Sequence, residues 1–303
     1  MLNFILFTLL LPIGSFAQHY FYNDRLYEPK VLLEAGIGIG AINSLTDVGG
    51  KPGPGKSFIK DLVIRHTKPS FTAFFSATWD YSWKAKVCYT TGTIQGADSI
   101  LQNDNSAGKQ RFLRNLHFKS RIHEVAISTE WFFLSERQKA IDVIPLIAPS
   151  LILGIGIYHF NPIAKLNGRW VELAPLHTEG QSFTPYPNRI PYRLTQATLV
   201  AGGGLLYEAS AFLNIGIEFL YRFLFTDYLD DISTNYINPQ LFETNFDPAR
   251  AKLAKQLADR RQELVPGLLT VENQRRGNNS KNDTYFNLQL KFGIILNRNR
   301  RTF

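Results

Sequence analysis

The chain has a single cysteine, Cys88. A lone thiol makes no internal disulfide, so whatever compartment the protein occupies, it is not a disulfide-stapled scaffold. Long apolar runs are also missing. Beyond the first residues no window approaches the ~18 consecutive apolar residues of a membrane-crossing helix, which excludes a helical membrane protein. No Pro- or Ser-rich linker divides the chain, so its 303 residues suit one large β domain. The one short apolar run, residues 4–13 (FILFTLLLPI), is followed by Gly14 and by Ser15-Phe16-Ala17. This reads as a signal peptide over residues 1–17, cleaved between Ala17 and Gln18, although no Lys or Arg precedes it. The residue at that point is Gln18 and not a cysteine, so a lipid anchor is not expected. The leader has no charged side chain, which leaves the net charge of +8 to the exported part. A basic balance often signals nucleic acid. An exported protein rarely meets it, so anionic lipid or saccharide headgroups are the expected neighbours and no nucleic-acid partner is expected.

What the sequence does have is period-two alternation, the mark of a strand with two unlike faces. Eight segments show it. In the clearest, Leu213, Ile215, Ile217, Phe219, Tyr221, Phe223 and Phe225 share one face, opposite Asn214, Gly216, Glu218, Leu220, Arg222 and Leu224. The last repeats it: Phe286, Leu288, Leu290, Phe292, Ile294 and Leu296 against Asn287, Gln289, Lys291 and Gly293. In the first, Leu33, Ala35, Ile37 and Ile39 oppose Glu34 and glycines; near 120–132, Glu124 and Glu130 oppose Val125, Ile127 and Trp131. The others lie near 69–82, 83–94, 143–159 and 194–208. Continuous apolar faces with aromatics toward their ends, opposite faces mixing Gly with isolated charges, and strands longer than the usual five or six residues point to a transmembrane barrel rather than a soluble sandwich.

Loop lengths give the topology. Connections near 82–83, 135–142 and 209–211 are short, and those at 43–68, 95–116, 160–193 and 227–283 are long. Strict alternation is the pattern of periplasmic turns and extracellular loops. The expectation is an all-β, eight-stranded antiparallel up-and-down transmembrane β-barrel over residues 18–303 with long extracellular loops, both termini in the periplasm, and the basic tail Arg298-Asn299-Arg300-Arg301 beside the turns. One helix is expected in the last long loop, with Asp247 as N-cap, Pro248 at the first position and the helix-forming run 249–263.

A barrel of eight strands holds little more than its own side chains, so no diffusion pore is expected. The inward charges Glu34, Lys84, Lys86, Glu124, Glu130, Glu218, Arg222 and Lys291 form a buried network, since buried charge must be paired. Glu218 and Arg222 share a face but sit roughly 13 Å apart along the strand. Each therefore needs a partner on another strand, and Arg222 is expected to meet Glu124 or Glu130.

The long-loop end carries its own motifs: Asn43-Ser44-Leu45-Thr46-Asp47-Val48-Gly49-Gly50, Arg114-Asn115-Leu116-His117-Phe118-Lys119-Ser120, His177-Thr178-Glu179-Gly180-Gln181, Thr226-Asp227-Tyr228-Leu229-Asp230-Asp231-Ile232-Ser233, Arg276-Gly277-Asn278 and Asn282-Asp283-Thr284-Tyr285. Topology places them at one mouth. Asp47, Arg114, Glu179, Asp230, Asp231, Arg276 and Asp283 are expected to tie the loops together. Clustered carboxylates also make Asp227, Asp230 and Asp231 weak calcium candidates, although no EF-hand spacing is present.

In these motifs, taken in order over residues 30–296, the chain resembles the PorG-like outer-membrane barrels of the type IX secretion system. The Thr-Asp-Tyr-Leu-Asp-Asp-Ile-Ser run at 226–233 is the most specific match, supported by Thr-Glu-Gly-Gln at 178–181 and Arg-Asn-Leu-x-Phe-x-Ser at 114–120. Thr46 stands where related proteins often carry Gly before the Asp. The resemblance implies a non-enzymatic outer-membrane component, in contact with membrane lipid, that associates with periplasmic secretion-ring proteins, with no cofactor. The alternatives are a lipid-modifying enzyme and an orphan barrel binding an extracellular ligand. The enzyme needs a nucleophile beside a base; His177 with Glu179 and Ser182, and His117 with Ser120, are the pairings on offer. No Gly-x-Ser-x-Gly or zinc motif is present. A periplasmic partner would meet the turns at 81–84, 135–139 and 208–210 and the basic tail.

Overall fold

The computed structural model of the chain describes residues 29–50, 63–102, 108–134 and 147–298. The leader and its cleavage point, the turn at 135–139 and the tail beyond Arg298 lie outside the described residues. Ten strands form: β1 (Val31–Leu45), β2 (Lys68–Trp79), β3 (Trp83–Ala97), β4 (His117–Trp131), β5 (Ile147–His159), β6 (Pro162–Leu166), β7 (Arg169–Glu172), β8 (Thr195–Ser210), β9 (Leu213–Leu224) and β10 (Thr284–Ile295). Eight of them close a ring, β1-β2-β3-β4-β5-β8-β9-β10 and back to β1, every neighbour antiparallel. The fold is a closed eight-stranded antiparallel up-and-down β-barrel. Closure leaves none of the eight with a free edge. At the β1–β10 seam Gly36 faces Gly293; a Cβ on Gly293 would occupy the space of the Glu34 carboxylate, and one on Gly36 that of the Phe292 carbonyl.

The period-two faces hold. On β5 Leu151, Leu153, Ile155 and Ile157 are exposed while Ile152 and Tyr158 are fully buried. From Ile147 to Ile157 the outward residues make a continuous apolar band. At ~3.4 Å per residue and a tilt of about 40°, it stands roughly 25 Å tall. Trp79, Trp83 and Trp131 are exposed at its short-turn end, with Trp83 and Trp131 stacked at 5.8 Å.

The turn between β2 and β3 is longer than the sequence pattern implies. The strands part after the Trp79–Trp83 pair, and Asp80 (φ 46°) and Tyr81 (φ 55°) take the left-handed conformation that matches strand twist in a tight hairpin. The β8–β9 turn is Ala211-Phe212, preceded by a bulge between Glu208 and Ser210.

The long loops contain more structure than expected. The third carries the β6–β7 hairpin, which continues the sheet outward from β4. Helix α1 (Gly108–Arg114) lies in the second, and α2 (Gln240–Asn245) precedes α3 (Pro248–Ala258) in the last. Asp247 caps α3 by accepting from the Ala249 and Arg250 amides at 3.1 Å. That helix ends at Ala258 rather than 263, because Asp259 turns to the Arg261 amide and guanidinium instead of continuing the helix. Among the described residues no helix is long and apolar enough to cross a membrane. Apolar packing forms a layer at the long-loop mouth, where Ile42, Ile94, Phe118, Ile122, Tyr158 and Leu229 meet, and a second core inside the loop head, where Leu176, Phe183 and Phe242 meet Ala254 and Leu257 of α3.

Candidate functional site

Inside the barrel, four carboxylates meet four cations, all buried. Nearest the short turns, Lys84 Nζ donates to Glu34 Oε2 at 3.0 Å, with Asn214 Nδ2 on the same oxygen at 3.2 Å. At mid-height, Lys86 and Lys291 both donate to Glu218 Oε1 at 2.6 Å. Toward the mouth, Arg222 grips Glu124 with two bonds, Nε to Oε2 at 3.0 Å and Nη2 to Oε1 at 2.8 Å. The Tyr285 hydroxyl donates to the same carboxylate at 2.5 Å, and Arg222 also donates to Asn287 Oδ1. Arg222 therefore meets Glu124 of β4. Glu130 instead accepts from Ser150 Oγ at 2.6 Å and lies 3.9 Å from Lys86. Beside Glu34, Lys84 and Glu130 lies a cavity of about 10 Å³, about one water. Among the described residues the interior is filled by these paired side chains.

Two arginines organise the loop head. Arg114, at the end of α1, donates to both oxygens of Asp98 at 2.8 and 2.9 Å, to the Asp47 carbonyl at 2.7 Å and to the Arg276 carbonyl at 2.6 Å. Arg276 donates to Glu179 Oε1 and to the Asp231 carbonyl at 2.8 Å, and to the Ala258 carbonyl at 3.1 Å. Glu179 is buried and also accepts from the Ser233 and Thr234 amides at 3.0 and 2.9 Å. Asp231 accepts from Thr178 Oγ1 at 2.5 Å and Tyr192 Oη at 2.7 Å. Asp230 accepts from the Val48 and Ile232 amides at 2.9 and 3.0 Å, Asp283 from the Leu229 amide at 2.9 Å, and Asp47 from the Asn278 amide at 2.5 Å. All four long loops are thus joined by carboxylates caught on backbone amides and on guanidinium groups.

The electrostatics of this head are acid-rich. Burial, with Asp47 nearby, pushes Asp227 up to about 9 and Asp230 up to about 8. Burial raises Asp231 to about 6, and burial with Asp230 and Asp227 as neighbours raises Asp283 well above the usual carboxylate range. As metal ligands Asp227, Asp230 and Asp231 do not work together. Asp230 is held on amides of the first and last loops, Asp231 on Thr178 and Tyr192, and among the described residues no three such side chains are placed to hold an ion.

The nucleophile–base pairings fail on geometry. His177 Nδ1 is bonded to the Gln181 carbonyl at 2.6 Å and its ring packs on Phe183 and Phe246, with no hydrogen bond to Glu179 or Ser182. His117 and Ser120 are three apart on a strand and so point to opposite faces. Ser120 is buried and accepts from the Asn161 amide, while His117 Nε2 accepts from the Lys165 amide. Arg298, the one residue of the basic tail that is described, departs from the expected exposed charge, and the rest of the tail lies outside the described residues. Arg298 is buried, donating to Glu208 at 2.5 Å, the Ala211 carbonyl at 2.7 Å and Tyr81 Oη at 2.8 Å. These bonds tie the end of β10 to both the β2–β3 and the β8–β9 turns.

Sequence reasoning missed Asp98, the carboxylate that orients Arg114, along with Thr178 and Tyr192, the partners of Asp231. Asp98 follows β3 without any local motif, so only the fold reveals that it faces an arginine sixteen residues on. No family model matches the chain, and no curated protein matches it by sequence. Solved structures similar to it include Ail, the attachment invasion locus protein of Yersinia pestis, in complex with the heparin analogue sucrose octasulfate (11% identity, TM-score 0.35, covering 87% of this chain and 99% of that one). Another is Neisserial surface protein A (10% identity, TM-score 0.36, covering 88% and 98%).

Proposed function

We propose that the chain is an integral outer-membrane barrel with a structural task, a membrane-embedded part of an assembly of the PorG-like, type IX secretion kind, that engages periplasmic ring subunits through its short-turn end. The observation that carries this reading is the pairing of a roughly 25 Å apolar outer band, the height of a hydrocarbon slab, with an interior filled by matched charges. The band needs lipid around it, and the filled interior leaves transport without a path. The secretion role is supported by the loop motifs of the resemblance, several of which pack into one head through Arg114, Glu179 and Arg276. A non-enzymatic role is supported by the separation of every nucleophile–base pairing described above. Export in this reading follows cleavage after Ala17, which N-terminal sequencing of the mature protein would show as Gln18. The deciding experiment is crosslinking in intact cells, followed by purification of the full-length protein and identification of what it carries. Recovery of periplasmic ring subunits, with lost secretion in a deletion strain, is the expected result. A clean monomer with normal secretion in that strain refutes the assembly role.

A further inference from the structure

The buried charges of the barrel are matched, yet the outer wall of β4 is not. His117, Lys119, Arg121 and His123 alternate along its outward face. The upper limit of the apolar band is set there by Val125, paired with Ile157, and the next outward pair is His123 with His159. Arg121 and Lys119, four and six residues beyond Val125, therefore stand roughly 10 and 16 Å above the band. The β6–β7 hairpin continues the same surface with Lys165 opposite Trp170. Lys119 Nζ lies 5.4 Å above the Trp170 ring, which remains 50% exposed. A groove of about 460 Å³ runs between them, and the Arg260 guanidinium forms part of its wall. Lys119, Arg121 and Lys165 join no ion pair among the described residues; the hairpin's one carboxylate, Glu172, is held by Asn161 Nδ2 at 3.0 Å. At the same end of the opposite wall the outward residues are Phe223 and Phe286. The charge is therefore local to one side and is not a girdle.

We propose that this face, β4 with the β6–β7 hairpin, binds the phosphorylated saccharide headgroup of an outer-leaflet glycolipid of the lipid A class. The inference rests on the outer-membrane reading above. Cations without an ion-pair partner at this height above a hydrocarbon-facing band stand beyond the roughly 5–8 Å headgroup layer of a simple phospholipid, at the depth of a larger phosphorylated saccharide headgroup. Arg121 supplies the forked donor that suits phosphate, and Lys119 and Lys165 supply point charges. The half-exposed indole offers a flat apolar face to a sugar ring, which selects a saccharide headgroup over a simple phospholipid.

The test uses the full-length protein reconstituted in phosphatidylcholine nanodiscs doped with bisphosphorylated lipid A, dephosphorylated lipid A or phosphatidylglycerol, with retained lipid counted by native mass spectrometry. Wild type should retain bisphosphorylated lipid A above the other two. Lys119→Gln with Arg121→Gln should lower that retention about tenfold, and Trp170→Ala should lower lipid A retention while leaving phosphatidylglycerol unchanged. Lys252→Gln, on the exposed side of α3, is the charge control and should retain lipid as wild type does. Heat-modifiable migration on gels confirms that each variant is a folded barrel. Unchanged retention in the double variant, or equal retention of phosphatidylglycerol or dephosphorylated lipid A by wild type, overturns the site while leaving the membrane reading intact. Failure of wild type to insert into any bilayer overturns the membrane reading, and the site with it.

Discussion

Removing Arg222 is the sharpest perturbation of the interior. Its guanidinium is fully buried, with two bonds to Glu124, one to the Leu220 carbonyl and one to Asn287. In Arg222→Met the Glu124 carboxylate keeps only the Tyr285 hydroxyl, and no other cation of the interior is bonded to it. An uncompensated buried charge of this kind costs about 3–5 kcal/mol, which is two to three and a half orders of magnitude in the folding equilibrium at about 1.4 kcal/mol per factor of ten. Glu124→Met, which strands the guanidinium, should cost a similar amount. Arg222→Met with Glu124→Met removes both charges together and leaves the Tyr285 hydroxyl, the Asn287 amide and the Leu220 carbonyl short of one partner each, with no stranded charge among them. The double variant should thus be more stable than either single one, with a coupling energy of several kcal/mol. The assay is guanidinium unfolding of the full-length protein in phosphatidylcholine vesicles, followed by tryptophan fluorescence, for which Trp131 on β4 is a local reporter. A single-variant cost below about 1 kcal/mol, or additivity in the double, would refute the reasoning, since either would mean that water reaches the pair.

Arg276→Ala should loosen the loop head without unfolding the barrel, because Glu179, Asp231 and Ala258 lose a shared donor; faster proteolysis within 227–283 with unchanged heat-modifiability is expected, and Arg276→Lys should not rescue it, as one ammonium lacks the fork to span all three. Asp227 and Asp230 keep their protons to about pH 9 and 8 in the folded head, whereas in an unfolded loop they lose them near ~4. Between those limits the folded state binds more protons, so head stability falls as pH rises; loop hydrogen exchange should be slower at pH 5 than at pH 9, and Asp227→Asn with Asp230→Asn should flatten the dependence. Ile155→Arg, in the middle of the exposed band, should cost about 2–4 kcal/mol in bilayers, and an unchanged unfolding midpoint would contradict lipid contact there. The proposed docking at the short-turn end would use the exposed Phe133, Leu134 and Phe212; Phe133→Glu with Phe212→Glu should abolish crosslinking to periplasmic ring subunits while the barrel still inserts.

The parts of the fold that the sequence displays are those governed by a two-residue period. Inward and outward faces of β9 and β10 follow directly from alternation, and so does the burial of Glu218, Arg222 and Lys291. Which charge meets which is a matter of barrel geometry across strands: Arg222 had two acids on β4 within the same logic, and only the three-dimensional placement gives it to Glu124. The β6–β7 hairpin escaped because its strands are five and four residues long, too short for alternation to register. Its turn nonetheless carried a legible signal. Asn167-Gly168 sits at φ 48° and 83°, the left-handed pair that Asn-Gly favours in a tight hairpin. Helix α1, seven residues long, offers no full repeat of a helical pattern. Arg298, the first residue of the tail, misled for a different reason. Basic residues past a last strand read as exposed charge, but Arg298 meets Glu208 and the turn carbonyl that the barrel's own end brings beneath it.

These placements bear on where specificity can reside. Each buried cation of the interior faces a carboxylate, so a charged solute entering there would have to break an ion pair in a medium that penalises stranded charge. In the loop head most carboxylate oxygens are committed to amides and hydroxyls that hold the loops, and loosening them would cost the head its shape. Recognition is thus pushed to surfaces where polar groups are not already engaged. On the described residues those are the cation column of β4 with the exposed Trp170 and the apolar rim of the short turns. One stands above the apolar band and the other at its lower edge. If both proposals hold, the barrel makes its contacts above and beneath its apolar band, and its filled interior keeps those two surfaces in fixed register.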